Sequence, residues 1–450
     1  MFALLPFALP FYLVRTNIGP LPTTGLELVI IATVIGWVGK GIGHWALGIG
    51  IKHLIQEAWE AFRPWRWPVG LWVIAGAISV FAAHDHIAAL GLYRAYFIEP
   101  VLIFIIGLQI GAWGVGRLSP VASAKGDGAW EENRTPNAER RTLLSSFAIV
   151  LILLGLYSIV QFLTGWGIPY PWHEIAGRRA VGPFPYPNAL SLFVTPVAAL
   201  LFADVLRGLS DSRAVGWARQ RRAPTDTTTH GLTDLRTYGL SFLGFLFGVI
   251  SIALAESIGG MIALATAMFV ASMFYKRARI IAISMLIAIV IGIGLIAPLR
   301  EKIVSVVTFQ QWSGMVRTVM WKESVAMLKD HSIFGAGLGG YPAAIKPYHK
   351  ATWMEIFQYP HDIVLNLWSE TGVLGLVAFG WIIAEWAWGV GRGAWSFYTL
   401  RPTPHALSVI TAILIHGLVD VPYFKNDLAV AFWLLILITQ SRIQKLEVRS

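Results

Sequence analysis

The chain has 450 residues, of which 56% are hydrophobic and 13% are charged, and its mean hydropathy is +0.63. This composition excludes a water-soluble globular protein, a disordered protein and a nucleic-acid-binding module, and it predicts a chain embedded in a membrane. The lack of Cys also excludes a disulfide framework, thiol nucleophiles and thiolate metal sites. The net charge of +10 indicates either a polyanionic partner or an orientation signal, and the positions of the charges decide between them.

Hydropathy predicts an all-α, polytopic integral membrane protein. A membrane-spanning helix needs roughly 20 mainly apolar residues, and about twelve stretches meet this requirement. They are residues 2–18, 24–40, 68–84, 87–115, 143–164, 186–206, 237–255, 257–275, 279–298, 363–390, 404–421 and 426–441. The first stretch has no basic start and no small-residue cleavage site, so we expect a retained helix rather than a signal peptide.

The basic residues predict how these spans are oriented. If the N-terminus is cytoplasmic, 23 of the 35 Lys and Arg residues fall on the inner side and 12 on the outer side. Basic residues accumulate in cytoplasmic loops of membrane proteins, so this arrangement accounts for much of the net charge without a nucleic-acid partner. We therefore expect both termini in the cytoplasm.

One connection is much longer than the others and lies on the predicted outer side. It covers residues 299–362 and separates nine predicted spans in residues 1–298 from three in residues 363–450. The segment contains a helix-like stretch at 318–329 and a glycine-rich turn at 335–340. Loops of this length are usually functional or disordered, and the Trp, Tyr and apolar content here favours an ordered, functional loop with short helices.

Cations dominate the ionisable residues on the predicted outer side. Ionisable groups in or beside spans are costly and usually functional, and guanidinium groups bind phosphate oxygens in a bidentate way. The candidate phosphate-binding residues are Arg94, Arg178, Arg179, Arg317 and Lys425. The sequence His84-Asp85-His86 offers two metal ligands but no evident third one nearby, so we expect a solvated turn and no metal site there.

Three sequence blocks follow one another on the same side. They are Arg179-x-x-Gly182 with Pro187-Asn188, Arg317 with Trp321 and the Gly335–Gly340 turn, and His361-Asp362-x-x-Leu365 followed by Glu370-x-Gly372. Each block alone has a structural explanation: a Pro-rich turn with an Asn cap, a glycine turn, and a His that caps a helix. The glycine turn formally matches a dinucleotide pattern but lacks the strand-turn-helix context that such a site needs.

Together, these blocks resemble the O-antigen ligase and polymerase superfamily of membrane glycosyltransferases, and O-antigen ligase most of all. The third block resembles the family's His-Asn-x-x-Leu and Glu-x-Gly motif, with Asp362 in the usual Asn position, and the ending His416-Gly-Leu-Val-Asp420-Val-Pro422 is also similar. The resemblance covers roughly residues 170–435. One departure is Ser257-Ile258-Gly259, where many members carry Ser-Arg-Gly, so that Arg94, Arg178 or Lys425 would have to replace the missing Arg.

The resemblance implies transfer of an undecaprenyl-diphosphate-linked glycan to an acceptor sugar of the lipid A-core type. The reaction would take place on the periplasmic face of the bacterial inner membrane, without nucleotide sugar, metal or other cofactor. Imidazole suits the removal of a hydroxyl proton near neutral pH, so His361 is the expected general base. The five cations named above would bind the diphosphate, and the expected supporting residues are Asp362, Glu370, Asp420 and Trp321, with Asp362 or Glu370 orienting His361.

Three alternatives remain open at the level of sequence. An O-antigen polymerase and a protein O-oligosaccharyltransferase would share the donor and the mechanism and differ in the acceptor. A transporter or flippase for an anionic lipid headgroup would be a different class of protein. The lack of an internal repeat and the long outer loop count against a transporter.

Overall fold

The computed structural model describes residues 2–18, 21–46, 59, 62–109, 136–219, 228–388 and 403–440. Of these described residues, 77% are helical, which confirms the all-α prediction. The α-helices are α1 (Leu5–Ala8), α2 (Gly25–Ala46), α3 (Arg66–Ala82), α4 (His86–Tyr93), α5 (Glu99–Gln109), α6 (Pro136–Thr164), α7 (Pro187–Arg219), α8 (Thr228–Leu254), α9 (Ile258–Ser272), α10 (Lys276–Leu295), α11 (Ala297–Val307), α12 (Trp312–Asp330), α13 (Tyr341–Ala344), α14 (Ile363–Trp388), α15 (Pro404–Gly417) and α16 (Asn426–Thr439). A π-helical turn, Arg94–Ile98, joins α4 to α5.

Six described helices are long and apolar enough to cross a membrane. They are His86–Leu108, Arg140–Thr164, Pro187–Ser210, Thr237–Leu254, Lys276–Leu295 and Ile363–Trp388. Six shorter apolar helices are Phe2–Leu13, Gly25–Gly39, Arg66–Ala82, Ile258–Ser272, Pro404–Gly417 and Asn426–Thr439. Each of the twelve predicted stretches therefore contains apolar helical structure, and the number of helices that cross the membrane remains a prediction.

The first predicted span differs from the expected single helix. It consists of three short helical pieces that end at Leu13, and an antiparallel hairpin of Arg15–Ile18 with Leu21–Thr24 follows. Pro6 and Pro10 each stand in the first turn of a new piece. Proline has no backbone N–H and cannot continue a helical hydrogen-bond ladder, so the two prolines divide the segment.

Close packing of small residues holds the helices of the bundle together. A Cβ atom on Gly244 of α8 would lie 2.7 Å from Cα of Ala148 on α6, and one on Gly248 would lie 2.8 Å from a side-chain carbon of Leu151. Small residues at this spacing let membrane helices approach closely. At the centre of the protein, all 14 residues of α16 are buried, so the loop before α16 has a rigid support.

The long segment between α10 and α14 is ordered and contains both predicted elements. Its helix α12 spans Trp312–Asp330, and Gly335, Gly337 and Gly339 of the following turn have φ values of 68°, 77° and 70°. A Cβ atom on Gly337 would lie 2.4 Å from the backbone nitrogen of Ala83. Glycine is therefore needed both for the left-handed backbone and for the close contact of this turn with the end of α3.

Candidate functional site

His361 lies immediately before α14 in an unusual backbone conformation. Its φ is +49°, a left-handed value that is uncommon for a residue other than glycine. The next residue, Asp362, accepts a hydrogen bond from the backbone N–H of Leu365 at 2.8 Å. This bond is a helix N-cap, so the Asp-x-x-Leu part of the motif fixes the start of α14 and thereby the position of His361.

The partner of the His361 side chain is Asp420, in the turn between α15 and α16. Nδ1 of His361 lies 3.1 Å from Oδ1 of Asp420, and the Asp420 side chain is 1% exposed. An ionised carboxylate can only accept, so Nδ1–H of His361 donates a hydrogen bond to Asp420 and Nε2 is left as the basic nitrogen.

Arg317 on α12 reaches the same turn. Its Nε donates a hydrogen bond to the carbonyl oxygen of Val419 at 2.8 Å, one residue before Asp420. Burial lowers the pKa of Arg317, while the nearby Asp420 carboxylate raises it. Since an arginine stays charged in proteins, a cation and the His361–Asp420 pair share one partly buried site.

Lys425 joins this site through two tyrosines. Its ammonium group contacts the hydroxyl of Tyr186 and lies 4.4 Å from the centre of the Tyr186 ring. The hydroxyls of Tyr186 and Tyr359 are 2.6 Å apart, and the rings of Tyr359 and His361 have centres 4.6 Å apart. Burial raises the pKa of Tyr359 well above its ordinary value, so its phenol stays neutral.

Sequence reasoning missed both tyrosines. Tyr186 belongs to the Pro-rich block after Arg179, which favours a turn. Nothing in the sequence around Tyr186 indicates a polar partner for its hydroxyl. Tyr359 lies two residues before His361, and this proximity was the one available signal.

Arg179 binds the turn between α8 and α9. Its Nε donates to the carbonyl oxygen of Ala255 at 2.8 Å, and Nη2 donates to that of Glu256 at 3.3 Å. The guanidinium also lies 5.0 Å from the centre of the Trp172 ring, a cation–π distance. Arg179 is thus positioned beside the turn that leads into Ile258, where the family pattern has an Arg.

Arg94 and Arg178 have other partners. Arg94 forms ion pairs with Glu27 at 2.8 Å and Glu99 at 3.2 Å. The Nη1 atom of Arg178 donates to the carbonyl oxygens of Phe162 and Leu163 at the end of α6. Glu27 also accepts a hydrogen bond from Asn426, the residue after Lys425, so Arg94 approaches the site through Glu27, whereas the partners of Arg178 among the described residues are backbone carbonyls.

The Glu370-x-Gly372 motif holds the glycine turn against α14. Oε2 of Glu370 accepts a hydrogen bond from the backbone N–H of Gly339 at 2.6 Å. Gly372 has φ +65° within the helix, and the N–H of Val373 donates to the carbonyl oxygen of Ile333 at 3.1 Å. Glu370 and the backbone that follows Gly372 therefore bind residues 333–339 of the long segment rather than His361.

Trp321 supports the segment that leads into His361. Its indole Nε1 donates to the carbonyl oxygen of Pro360 at 3.0 Å, and its ring packs edge-on against Phe309. Trp321 and Phe309 also line a cleft of about 380 Å³. Ile262 and Leu418 belong to the same lining, and the one charged lining residue is Asp362. An apolar cavity therefore adjoins the polar site.

Backbone strain is concentrated around this site. Among the described residues, the positive φ values of residues other than glycine are 48° at Glu256, 55° at Phe309 and 49° at His361. Glu256 binds Arg179, Phe309 lines the cleft, and His361 binds Asp420. Strained residues of this kind tend to occur at functional sites, where the surrounding structure holds them in place.

The His84-Asp85-His86 sequence forms a capped turn. The Asp85 carboxylate accepts hydrogen bonds from the N–H groups of Ile87 and Ala88, and Nδ1 of His86 lies 2.8 Å from the carbonyl oxygen of Val80. In the part of the chain that the structure describes, no three His, Asp or Glu side chains are arranged to hold a metal ion.

Comparison with known proteins agrees with the motif analysis. Residues 243–380 match the family model described as O-antigen ligase, which confirms the resemblance to the O-antigen ligase superfamily. The matched region contains Arg317, Trp321 and His361, whereas Arg179 and Asp420 lie outside it. No curated protein matches the chain significantly. The match supports a membrane glycosyltransferase of the O-antigen ligase and polymerase type.

Proposed function

We propose that this protein transfers a glycan from undecaprenyl diphosphate to an acceptor sugar, as an O-antigen ligase with a lipid A-core-type acceptor. The observation that carries the proposal is the contact of His361 with the buried Asp420, in a turn that also binds Arg317 and is followed by Lys425. A base and cations for a diphosphate leaving group therefore lie within one site.

In the proposed reaction, His361 acts as the general base. The Asp420 carboxylate accepts a hydrogen bond from Nδ1–H of His361 and so presents Nε2 to the acceptor hydroxyl. The hydroxyl oxygen attacks the anomeric carbon of the donor sugar while its proton passes to Nε2. The bond from the anomeric carbon to the diphosphate oxygen breaks, and undecaprenyl diphosphate leaves with the bonding electrons. Asp420 stabilises the imidazolium that forms.

Arg317, Lys425 and Arg179 would bind the diphosphate. Fixed cations in a poorly hydrated site stabilise charge that develops on a leaving group. Arg179 contacts the turn directly before Ile258, the position at which the family pattern has an Arg, and Arg94, Arg178 or Lys425 remains the proposed replacement for that Arg. Arg94 and Arg178 remain predicted contributors to diphosphate binding.

The apolar cleft would hold the first isoprenoid units of the donor lipid. It lies between Ile262 of α9 and Leu418 after α15 and reaches Val419, whose carbonyl binds Arg317. An apolar chain could thus enter beside the cation that binds its diphosphate. Three residues would support the site. Asp362 fixes the start of α14, Trp321 fixes the segment before His361, and Glu370 fixes the glycine turn.

We further propose an inner-membrane location with the site facing the periplasm and both termini in the cytoplasm. The excess of basic residues on one side supports this orientation. In intact cells, an impermeant thiol reagent should label a Lys350→Cys variant and leave a Gln220→Cys variant unlabelled. The chain has no other Cys, so labelling of the second variant alone would reverse the proposed orientation.

Reconstitution of the purified protein tests the function. The protein is supplied with lipid-linked glycan and, separately, with a lipid A-core acceptor, a second lipid-linked repeat or an acceptor protein. A product with the lipid A-core acceptor supports a ligase, and a product with either other acceptor identifies one of the related transferases. Movement of the donor without any larger product would indicate a carrier. Activity in excess chelator is expected, and its loss with recovery in Mg²⁺ or Mn²⁺ would contradict the metal-independent mechanism.

A further inference from the structure

Two tyrosine hydroxyls form a short chain between Lys425 and the ring of His361. The ammonium group of Lys425 contacts the Tyr186 hydroxyl, which lies 2.6 Å from the hydroxyl of Tyr359. The Tyr359 ring packs against the His361 ring, with centres 4.6 Å apart. We call Tyr186 and Tyr359 the tyrosine pair. It connects a cation with the surroundings of the proposed base.

The backbone holds both members of the tyrosine pair in place. Tyr186 stands between two prolines, and Tyr359 precedes Pro360. Proline fixes its own φ and restricts the residue before it to extended conformations, so both side chains are carried by stiff segments. The carbonyl oxygen of Pro360 also accepts a hydrogen bond from the indole of Trp321. The two hydroxyls therefore meet with little loss of backbone freedom.

The tyrosine pair has one phenolic proton more than the described protein can accept. An ammonium group only donates, so Lys425 donates to the oxygen of Tyr186. The two tyrosines have two O–H protons but share one hydrogen bond. Among the described residues, neither hydroxyl has a further hydrogen-bond partner. Whichever tyrosine donates to the other, one phenolic proton is left for a bound molecule.

The contact with Lys425 decides which proton this is. A hydroxyl that accepts a hydrogen bond from a charged donor becomes a stronger donor itself, and its oxygen becomes a weaker second acceptor. Tyr186 therefore donates to Tyr359, and the O–H of Tyr359 is free to donate to a ligand. Burial raises the pKa of Tyr359 well above its ordinary value, so this phenol keeps its proton at neutral pH. The charge of Lys425 thus strengthens an O–H donor beside His361.

We propose that Tyr359 is a further catalytic residue, whose O–H donates a hydrogen bond to the diphosphate oxygen that leaves the anomeric carbon. Tyr186 is a positioning residue that transmits the charge of Lys425 to Tyr359. This inference rests on the proposed function. The cation at the far end of the chain favours an anionic acceptor over a neutral sugar hydroxyl.

The hydrogen bond from Tyr359 strengthens during the reaction. As the bond between the anomeric carbon and the oxygen breaks, negative charge collects on that oxygen. A fixed donor aimed at it stabilises the transition state more than the bound donor lipid. Tyr359 keeps its own proton, so undecaprenyl diphosphate still leaves as an anion and the acceptor proton still passes to His361.

Turnover of Tyr359→Phe with lipid-linked glycan and the lipid A-core acceptor tests this proposal. At saturating donor, turnover should fall roughly 10- to 100-fold, the effect of a lost hydrogen bond to a charged group. The KM for donor should change by less than about threefold, because the lost bond forms fully only in the transition state. Tyr359→Phe turnover within about threefold of wild type would overturn the proposal, and so would a raised KM with unchanged turnover.

Tyr348→Phe is the matched control. It removes a phenol hydrogen bond to Asp330 in the same long segment, and its turnover should stay within about twofold of wild type. A loss in this control as large as that of Tyr359→Phe would show that any phenol of the segment matters only for its structure. A wild type that transfers no glycan to any acceptor would instead contradict the proposed function.

A double variant tests the route through Tyr186. Tyr186→Phe keeps the ring beside which Lys425 lies but removes the hydroxyl, so turnover should fall about three- to tenfold. Turnover of Tyr186→Phe with Tyr359→Phe should match that of Tyr359→Phe alone within about twofold, because Tyr186 acts through Tyr359. Losses that multiply would contradict the chain.

Incorporation of 3-fluorotyrosine in place of Tyr359 separates catalysis from packing, and it remains available if Tyr359→Phe does not fold. The fluorinated phenol keeps the ring and the hydroxyl and is a stronger hydrogen-bond donor. At neutral pH its turnover should exceed that of wild type by about twofold or more, since donor strength and rate rise together. Equal or lower turnover, with an unchanged melting temperature, would show that the hydroxyl has only a structural role.

Discussion

Two histidine–aspartate pairs lie at opposite ends of the bundle, and each has an arginine nearby. His361 lies 3.1 Å from Asp420 beside Arg317, and His405 lies 3.6 Å from Asp204 near Arg140. The side chain of His361 is 19% exposed and that of His405 is 4% exposed. The two pairs therefore consist of the same residue types, and they differ in how far the histidine is accessible to solvent and ligands.

The backbone also distinguishes the two pairs. His405 lies in the first turn of α15, after the Thr403 N-cap and Pro404, an arrangement that needs no strain. His361 has a left-handed backbone and is next to Asp362, which lines the apolar cleft. A strained, accessible imidazole beside a cavity is consistent with the catalytic role proposed for His361, whereas a buried one in a regular helix is typical of a packing role.

Replacement of Asp420 tests what the carboxylate does for His361. We expect Asp420→Asn to reduce turnover about 100-fold, because an amide can present its N–H to Nδ1 and so favour the wrong tautomer of the base. Donor binding should change much less. In the double variant with His361→Gln, the two losses should not multiply, since both act through one group. Fully multiplicative losses would mean that Asp420 acts independently of His361.

Replacement of Arg317 tests the shape of the cation. Arg317→Lys keeps the charge but loses the fork, so turnover should fall roughly ten- to hundredfold, equivalent to about 1.4 to 2.7 kcal/mol. Arg300→Lys is the matched control, since Arg300 is exposed on α11 in the same long segment, and its turnover should be unchanged. A normal rate for Arg317→Lys would show that this residue only attracts the donor.

Replacement of His405 in the buried His405–Asp204 pair should affect stability more than turnover. His405→Gln removes the partner of Asp204 in the core, so a lower melting temperature is expected, with a stability loss of about 1 to 3 kcal/mol. Turnover per folded molecule should stay within about fivefold of wild type, because a packing role affects the chemistry only indirectly. A loss comparable to that of the His361 variant would remove the distinction between the two pairs.

A third histidine–carboxylate pair, His349 with Glu323 in the long segment, predicts that local stability depends on pH. Nδ1 of His349 lies 2.9 Å from Glu323 and Nε2 lies 3.1 Å from the carbonyl oxygen of Met354. Both partners are acceptors, so both ring nitrogens donate only when the imidazole is protonated. The hydrogen bond to Glu323 raises the pKa of His349. Protonated His349 therefore stabilises the folded segment. This stabilisation is complete at pH values below the pKa of histidine in the unfolded chain, about 6.5, and it is lost as pH rises through the raised pKa of the folded state.

Hydrogen exchange measures this effect. After correction for intrinsic rates, residues 346–354 should be better protected at pH 5.5 than at pH 8.5 in the wild type. In His349→Gln the difference should disappear. Equal protection of the wild type at both pH values would contradict the protonated contact.

The sequence predicts the helices and the main site residues for clear physical reasons. Apolar stretches of sufficient length locate the six long apolar helices and the six shorter ones among the described residues. Arg317 lies on α12, Glu370 lies on α14, and His361 lies just before α14. The contact of His361 with Asp420 was beyond prediction, because the two residues are 59 positions apart on separate elements. Asp362 and Glu370, which are closer in sequence, bind backbone N–H groups instead.

Arg178 and Arg179 show a similar limit. They are adjacent and chemically identical, so the sequence predicts the same role for both. In the structure, Arg178 binds the carbonyl end of α6, and Arg179 binds the turn before α9. Which of two neighbouring side chains reaches a helix end depends on the tertiary packing of the loop, which has no local signature in the sequence.

The transfer rate of His361→Gln tests the central claim most directly. Glutamine keeps a similar size and some hydrogen-bonding capacity but has no basic nitrogen, so the variant should fold and bind donor. At saturating donor we expect turnover to fall about 10²- to 10⁴-fold, the usual contribution of a general base. Donor binding and thermal stability are measured in parallel. A stable variant that binds donor and transfers glycan within about fivefold of wild type, the effect of a lost helix cap of ~1 kcal/mol, would contradict the assignment of His361 as the base.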